Sequence, residues 1–177
     1  MGWVFTRLSH GDFLLDLGAD ERDLLRSLPD QLGGILRSSP GEPALTRLSP
    51  PAYVEDVEHE EEYRRLMGDD LRQRQIAALT LMSETAGAGR LTEEQAQGWL
   101  AGLNSLRLVL GTQLDVGEDA DDELDELDGL EEAGEPIDPD DHRADALQLY
   151  RYLSMLLDEL VTALAGGLPD MADDEPA

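Results

Sequence analysis

The sequence predicts an all-α protein: a compact helical bundle of about four to five helices, with a small N-terminal β-hairpin and a disordered acidic loop. Three observations carry that expectation. Leucines recur at steps of three and four over residues 20–36, 92–114 and 142–165, the spacing of one helix face. β-Prone residues alternate only near the N-terminus, in "WVFTRLSHGDFLLDL" over 3–17. The stretch 115–141 holds fifteen acids and no basic residue in 27 positions, too little apolar surface to offset the entropy of ordering it.

The first element is the hairpin, whose two short runs flank "SHGD", a turn-forming cluster. A helix follows from Asp20, its expected N-cap. Leu24, Leu25, Leu28, Leu32, Ile35 and Leu36 lie on one side of that helix, and Pro29 is expected to kink or split it. Residues 38–52 are rich in Ser and Pro and read as a loop with one short turn at "ALTRL". From Glu55 to Thr85 the pattern is one long helix, or two broken near Gly68-Asp69-Asp70, with Met67, Leu71, Ala78 and Met82 on one face. After "GAGR", Thr92 and Gln95 form a capping-box pair that opens a helix running to about Leu114. The last helix spans roughly His142 to Ala165 and carries Leu149, Leu153, Leu157, Leu160 and Leu164. Residues 1–166 are thus expected to form one helical domain, with 115–141 as its flexible acidic loop and 167–177 as an acidic disordered tail.

The core expected from these patterns is the 92–114 helix packed on the 142–165 helix. Leu108 and Val109 fall outside the main face of the first, and Met155 and Leu156 outside that of the second. That excess calls for further helices on both sides or for a homodimer.

Charge narrows the function. The 177 residues carry 40 acids against 13 basic residues, a formal charge of −27, and every basic residue is arginine. Such a chain repels nucleic acid, whose affinity comes from cations neutralising phosphates, so direct DNA binding by the protein alone is not expected. Lysine and cysteine are both absent, which removes Schiff-base chemistry, disulfides and a thiol switch. No signal peptide or membrane-length apolar run is visible, and a cytoplasmic location is expected. The histidines His10, His59 and His142 are scattered without metal-ligand spacing, and neither a P-loop, a GxSxG nor a dinucleotide fingerprint occurs. A tract such as "DADDELDELDGLEE" lacks the ligand order of an EF-hand. No enzyme activity, metal or cofactor is expected.

Two groups of residues stand out. Arg107 interrupts the apolar run "LNSLRLVLGTQLDV". At about 100° per residue from Trp99 it lands near 80°, inside an arc running from Leu106 at about 340° to Leu100 at about 100°. A guanidinium taken into such a stripe needs a carboxylate or several carbonyls, because desolvating it alone costs several kcal/mol. Glu159 is the expected partner, with Asp158 second, in an ion pair that fixes helix register; a ligand-binding role is the alternative. Arg64, Arg65, Arg72 and Arg74 form the one basic cluster, either a docking site for an acidic partner or phosphate, or a solvated helix face.

The stretch "LTEEQAQGWLAGLNSLRLVLGTQLDV", with Trp99-Leu100, Asn104, Leu106-Arg107-Leu108 and Leu110-Gly111-Thr112, resembles an actinobacterial family. It is the domain-of-unknown-function family two-thousand-and-seventeen, also called the oxidative stress regulator AosR family. "YRRLMGDDLRQRQIAAL" from Tyr63 is similar to that family's central helix, and "YRYLSMLLDELVTAL" from Tyr150 to its closing helix, where Glu159 matches a family glutamate. The acidic insert also sits where the family has one. The resemblance implies a non-enzymatic regulator of the oxidative stress response that works through protein contacts, with a sigma factor or other transcription machinery as partner. Genes of the family commonly lie beside that of the proteolytic adaptor ClpS, which implies the alternative, an adaptor or accessory factor in Clp-type proteolysis. Redox sensing in such a regulator would use a cysteine pair, and this sequence has none. The resemblance supplies no catalytic residue.

Overall fold

A computed structural model describes residues 3–39, 41–49, 56–115 and 142–166. Among them are four α-helices and a small sheet. Strand β1 (Phe5–Arg7) and strand β2 (Phe13–Leu15) form the expected hairpin, in the register Phe5 to Leu15 and Arg7 to Phe13. Its turn closes through Gly11 at φ 95°, a conformation that suits glycine. The N–H of Gly11 donates to the Leu8 carbonyl at 3.0 Å.

Helix α1 spans Ala19–Ser38 and differs from expectation at two points. Its N-cap is Gly18 rather than Asp20, because the Glu21 carboxylate reaches back to accept the Gly18 N–H at 2.7 Å. It also runs through Pro29 without a break, with Pro29 buried among Leu25, Leu32 and Leu36. The turn foreseen at "ALTRL" is a 3-10 helix, Pro43–Leu48, that buries Leu45 and Leu48.

Helix α2 is continuous over Val57–Thr85, with no interruption at Gly68. Asp56 caps it, accepting the His59 N–H at 3.2 Å and lying 2.5 Å from His59 Nδ1. These bonds hold the Asp56 carboxyl below its ordinary value. Strand β3 (Arg90–Leu91), absent from the sequence reading, pairs antiparallel with β2 and completes the order β1-β2-β3.

Helix α3 (Glu93–Gln113) begins with the expected capping box. The Thr92 hydroxyl accepts the Gln95 N–H at 3.2 Å, and the Gln95 side chain accepts the Thr92 N–H at 2.9 Å. Helix α4 spans His142–Ala165. The expected acidic loop and the 167–177 tail lie outside the described residues, apart from Asp115.

Helix α3 is the centre of the fold, touching α1, α2, α4 and the 3-10 helix. Trp99, Leu103 and Leu106 on α3 share a core with Leu153, Leu156 and Leu160 on α4; Leu156, expected outside the main face, is fully buried, while Leu157 is buried only in part. The Trp99 indole packs edge-on to Phe5 with ring centroids 5.8 Å apart, and its N–H donates to the Thr85 hydroxyl at 2.8 Å. Leu25 from α1, Leu79 and Met82 from α2, and Phe13 from the sheet join the same core. These elements bury Val109 and Leu156 and cover Leu108 in part. Further helices, then, account for most of the excess apolar surface on α3 and α4; Met155 stays exposed.

Candidate interaction surface

Arg107 is not an ion-pair partner of Glu159 or Asp158. Its Nε–H donates to the Ser154 hydroxyl at 2.9 Å, and its guanidinium carbon lies 5.4 Å from the centre of the Tyr150 ring. Ser154 in turn donates to the Tyr150 carbonyl at 2.9 Å, which fixes the acceptor. Glu159 sits five residues beyond Ser154, roughly 7.5 Å along the helix. There it accepts the Phe5 backbone N–H at 2.7 Å, while Asp158 points to solvent.

The cause of the difference is the buried arc of α3. Gly102, Ser105 and Val109 are buried at about 300°, 240° and 280° on the wheel, which moves the centre of burial away from Arg107. Small residues let α2 approach closely there: a Cβ on Gly102 would lie 3.0 Å from Met82 Sδ. Arg107 therefore stands at the edge of the interface, half-buried, with its guanidinium held between the Tyr150 ring and the Ser154 hydroxyl.

The basic cluster straddles the middle of α2. Arg64 pairs with Glu60 at 2.7 Å, one turn earlier, and Arg72 pairs with Asp69. Arg65 and Arg74 are exposed and form no ion pair with a described residue. Around them is a feature that sequence periodicity missed. Val57, Tyr63, Leu66, Met67 and Leu71 are five of the ten large apolar side chains exposed among the described residues.

Met67 and Leu71, expected on one face with Ala78 and Met82, are 44% and 39% exposed. Only the second half of α2 reaches the core, through Leu79 and Met82. Along this helix runs a cleft of about 250 Å³ lined by Ser49, Tyr63, Met67, Leu71 and Arg74 together with Glu60, which is buried. Such a concentration of large apolar groups rimmed by charge is the physical signature of a protein-contact surface. Among the described residues no cluster of His, Asp or Glu could hold a metal ion, and no helix is long and apolar enough to cross a membrane.

Residues 4–164 match the model of a protein family described as a domain of unknown function, DUF2017. The chain belongs to that family. The DUF2017 match extends from the hairpin to the last turn of α4, so both the sheet and the α2 surface lie inside it. Curated relatives named "Oxidative stress regulator AosR", from Mycobacterium bovis and Mycobacterium tuberculosis, are 27% identical over 145 residues. That alignment covers 72% of this chain and 60% of the relatives' length. No solved structure matches the chain.

Proposed function

We propose that this DUF2017 chain is a non-enzymatic, cytoplasmic regulator of the oxidative stress response that acts through protein contacts on the transcription machinery. The regulatory role follows the name of the mycobacterial relatives. Contact as the mode of action rests on one observation, the exposed apolar and arginine-bearing half of α2. The −27 charge favours a protein over DNA as the direct target, since the chain as a whole repels phosphate. Within these 177 residues there is no cysteine, so no thiol of this stretch senses the signal.

The test is affinity purification from peroxide-treated cells of the native host, comparing the wild-type chain with an Arg65→Glu/Arg74→Glu variant. These two arginines hold no ion pair with a described residue, so reversing them breaks none. The expected result is a sigma factor or RNA polymerase component recovered with the wild type and lost with the variant. Recovery of Clp subunits in its place would move the assignment to regulated proteolysis.

A further inference from the structure

We propose that Met67 is an oxidant-responsive modification site: a hydroperoxide converts its thioether to the sulfoxide, and the oxidised side chain strengthens the contact made by α2. The inference rests on the reading of this part of α2 as a protein-contact surface and adds its regulation.

With no cysteine within these 177 residues, methionine supplies the sulfur that a peroxide can oxidise. Met67, Met82 and Met155 lie among the described residues, and the fold treats them differently. Met82 is fully buried where α2 crosses α3, and a Cβ on Gly102 would lie 3.0 Å from its Sδ. An added oxygen has no room there. Met67, about four turns earlier on the same helix, is 44% exposed and lines the cleft of about 250 Å³. Hydrogen peroxide is little larger than water, whose share of liquid volume is about 30 Å³, so it enters such a cleft freely. Helix α2 thus carries one protected and one accessible thioether, and oxidant reaches the surface without touching the core. Met155 is 48% exposed on α4, whose main contacts are with α3 and β1. It serves as a control of equal accessibility on a different helix.

The step balances without a further reactant. A lone pair on the Met67 sulfur attacks the outer oxygen of the hydroperoxide. The O–O bond breaks, an S–O bond forms, and water leaves when the oxidant is hydrogen peroxide. Sulfur is oxidised by two electrons and the peroxide is reduced by two. The change in hydrogen bonding is large: a thioether sulfur is a weak acceptor, whereas the sulfoxide is a polar group with an exposed oxygen. Beside Tyr63, Leu71 and Arg74 in the cleft lining, that oxygen adds a directed acceptor to an apolar contact. The −27 charge draws in partners rich in Lys and Arg, whose N–H groups are the donors such an oxygen takes up. Oxidation therefore favours the docking of a basic partner segment.

Peroxide treatment of the folded chain, followed by cleavage at arginine and mass measurement, reads the chemistry directly. Cleavage places Met67 in the fragment 66–72 and Met82 in the fragment 75–90. Met67 and Met155 are expected to gain an oxygen at least about tenfold faster than Met82, since susceptibility follows exposure. In the native host, Met67→Leu, which keeps an apolar side chain without sulfur, is expected to lose the transcript response to peroxide. Met67→Gln, whose carbonyl stands in for the sulfoxide oxygen, is expected to give that response without peroxide. Mere loss of packing would not produce such a gain. Met155→Leu is expected to respond as the wild type does. Three results would each overturn the proposal: Met67 oxidised no faster than Met82, a Met67→Leu strain that responds in full, or a Met67→Gln strain silent until peroxide is added. If one of these occurs while Arg65→Glu/Arg74→Glu still loses its cellular partner, the oxidation site is wrong and the contact surface stands. If that double variant keeps its partner, the surface reading falls and the oxidation switch with it.

Discussion

Glu159 of α4 accepts the backbone N–H of Phe5 at 2.7 Å, and through that bond the last helix is fastened to the edge strand of the sheet. An edge N–H removed from water and left without an acceptor costs about 1–3 kcal/mol. Glu159→Ala is therefore expected to lower stability by roughly that amount in urea unfolding, whereas Glu159→Gln, which keeps an acceptor oxygen, costs less than half as much. Equal losses for the two variants would mean that the bond contributes nothing specific.

Arg107 gives a contrasting case. With a hydroxyl and an aromatic face as partners instead of a carboxylate, its removal forfeits a hydrogen bond and a cation–π contact, together about 1–2 kcal/mol. Breaking a buried ion pair would cost about 3–5 kcal/mol. A double-mutant cycle is expected to show coupling between Arg107 and Ser154 and none between Arg107 and Glu159. Coupling to Glu159 above about 1 kcal/mol would restore the pairing first expected from the sequence.

Gly102 sets the distance between α3 and α2. Valine there forces branched atoms onto Met82 Sδ and toward the Ala78 carbonyl, in a core without room for them. Overpacking of this kind costs about 1–3 kcal/mol, offset only by the few tenths of a kcal/mol, roughly, by which valine exceeds glycine in helix propensity. Thermal unfolding of Gly102→Val is expected to fall accordingly. Gly34→Val, where a Cβ meets nothing within 4 Å, is expected to change little.

Tyr152 links α4 to the start of α1 by donating its hydroxyl to Glu21 at 2.9 Å. Burial holds its proton most strongly, followed by that hydrogen bond and by the negative charges of Glu21 and Glu159, and its pKa is raised well above the ordinary phenol value. Because the folded value exceeds the unfolded one, the stabilisation is complete below the ordinary phenol range near pH 10. It is lost as pH rises from there toward the folded value. In an ultraviolet titration, one of the four tyrosines is expected to ionise only as the chain unfolds. Tyr152→Phe should abolish that late step. Four tyrosines titrating together in the folded chain would contradict the geometry.

Much of the fold was legible because large apolar residues at fixed spacing report helix faces directly. The hairpin, the Thr92–Gln95 cap and the α3–α4 core follow from such signals. Strand β3 did not, since two residues carry no alternation to read. Helix α2 passes through Gly68 because the cost of one glycine, about 1 kcal/mol, is too small to break so long a helix. The Arg107 partner was misplaced because a wheel of large apolar residues ignores Gly102, where α2 comes close, and the buried Ser105, and the two shift the buried arc. The arginines of α2 were visible in composition. The apolar half of the same surface was hidden, because Met67 and Leu71 share a helical face with Met82, and only the point where α2 leaves the core separates them.

The most direct test of α2 as the working surface is a Met67→Glu/Leu71→Glu double variant, measured for stability and for transcription in the native host. The unfolding free energy is expected to stay within about 0.5 kcal/mol of the wild type, since both side chains are already well exposed. The transcript response to peroxide is expected to match that of a strain lacking the gene. A variant that unfolds would show the face to be structural. A folded variant with a wild-type response would show it to be idle, and either result would contradict the role assigned to it.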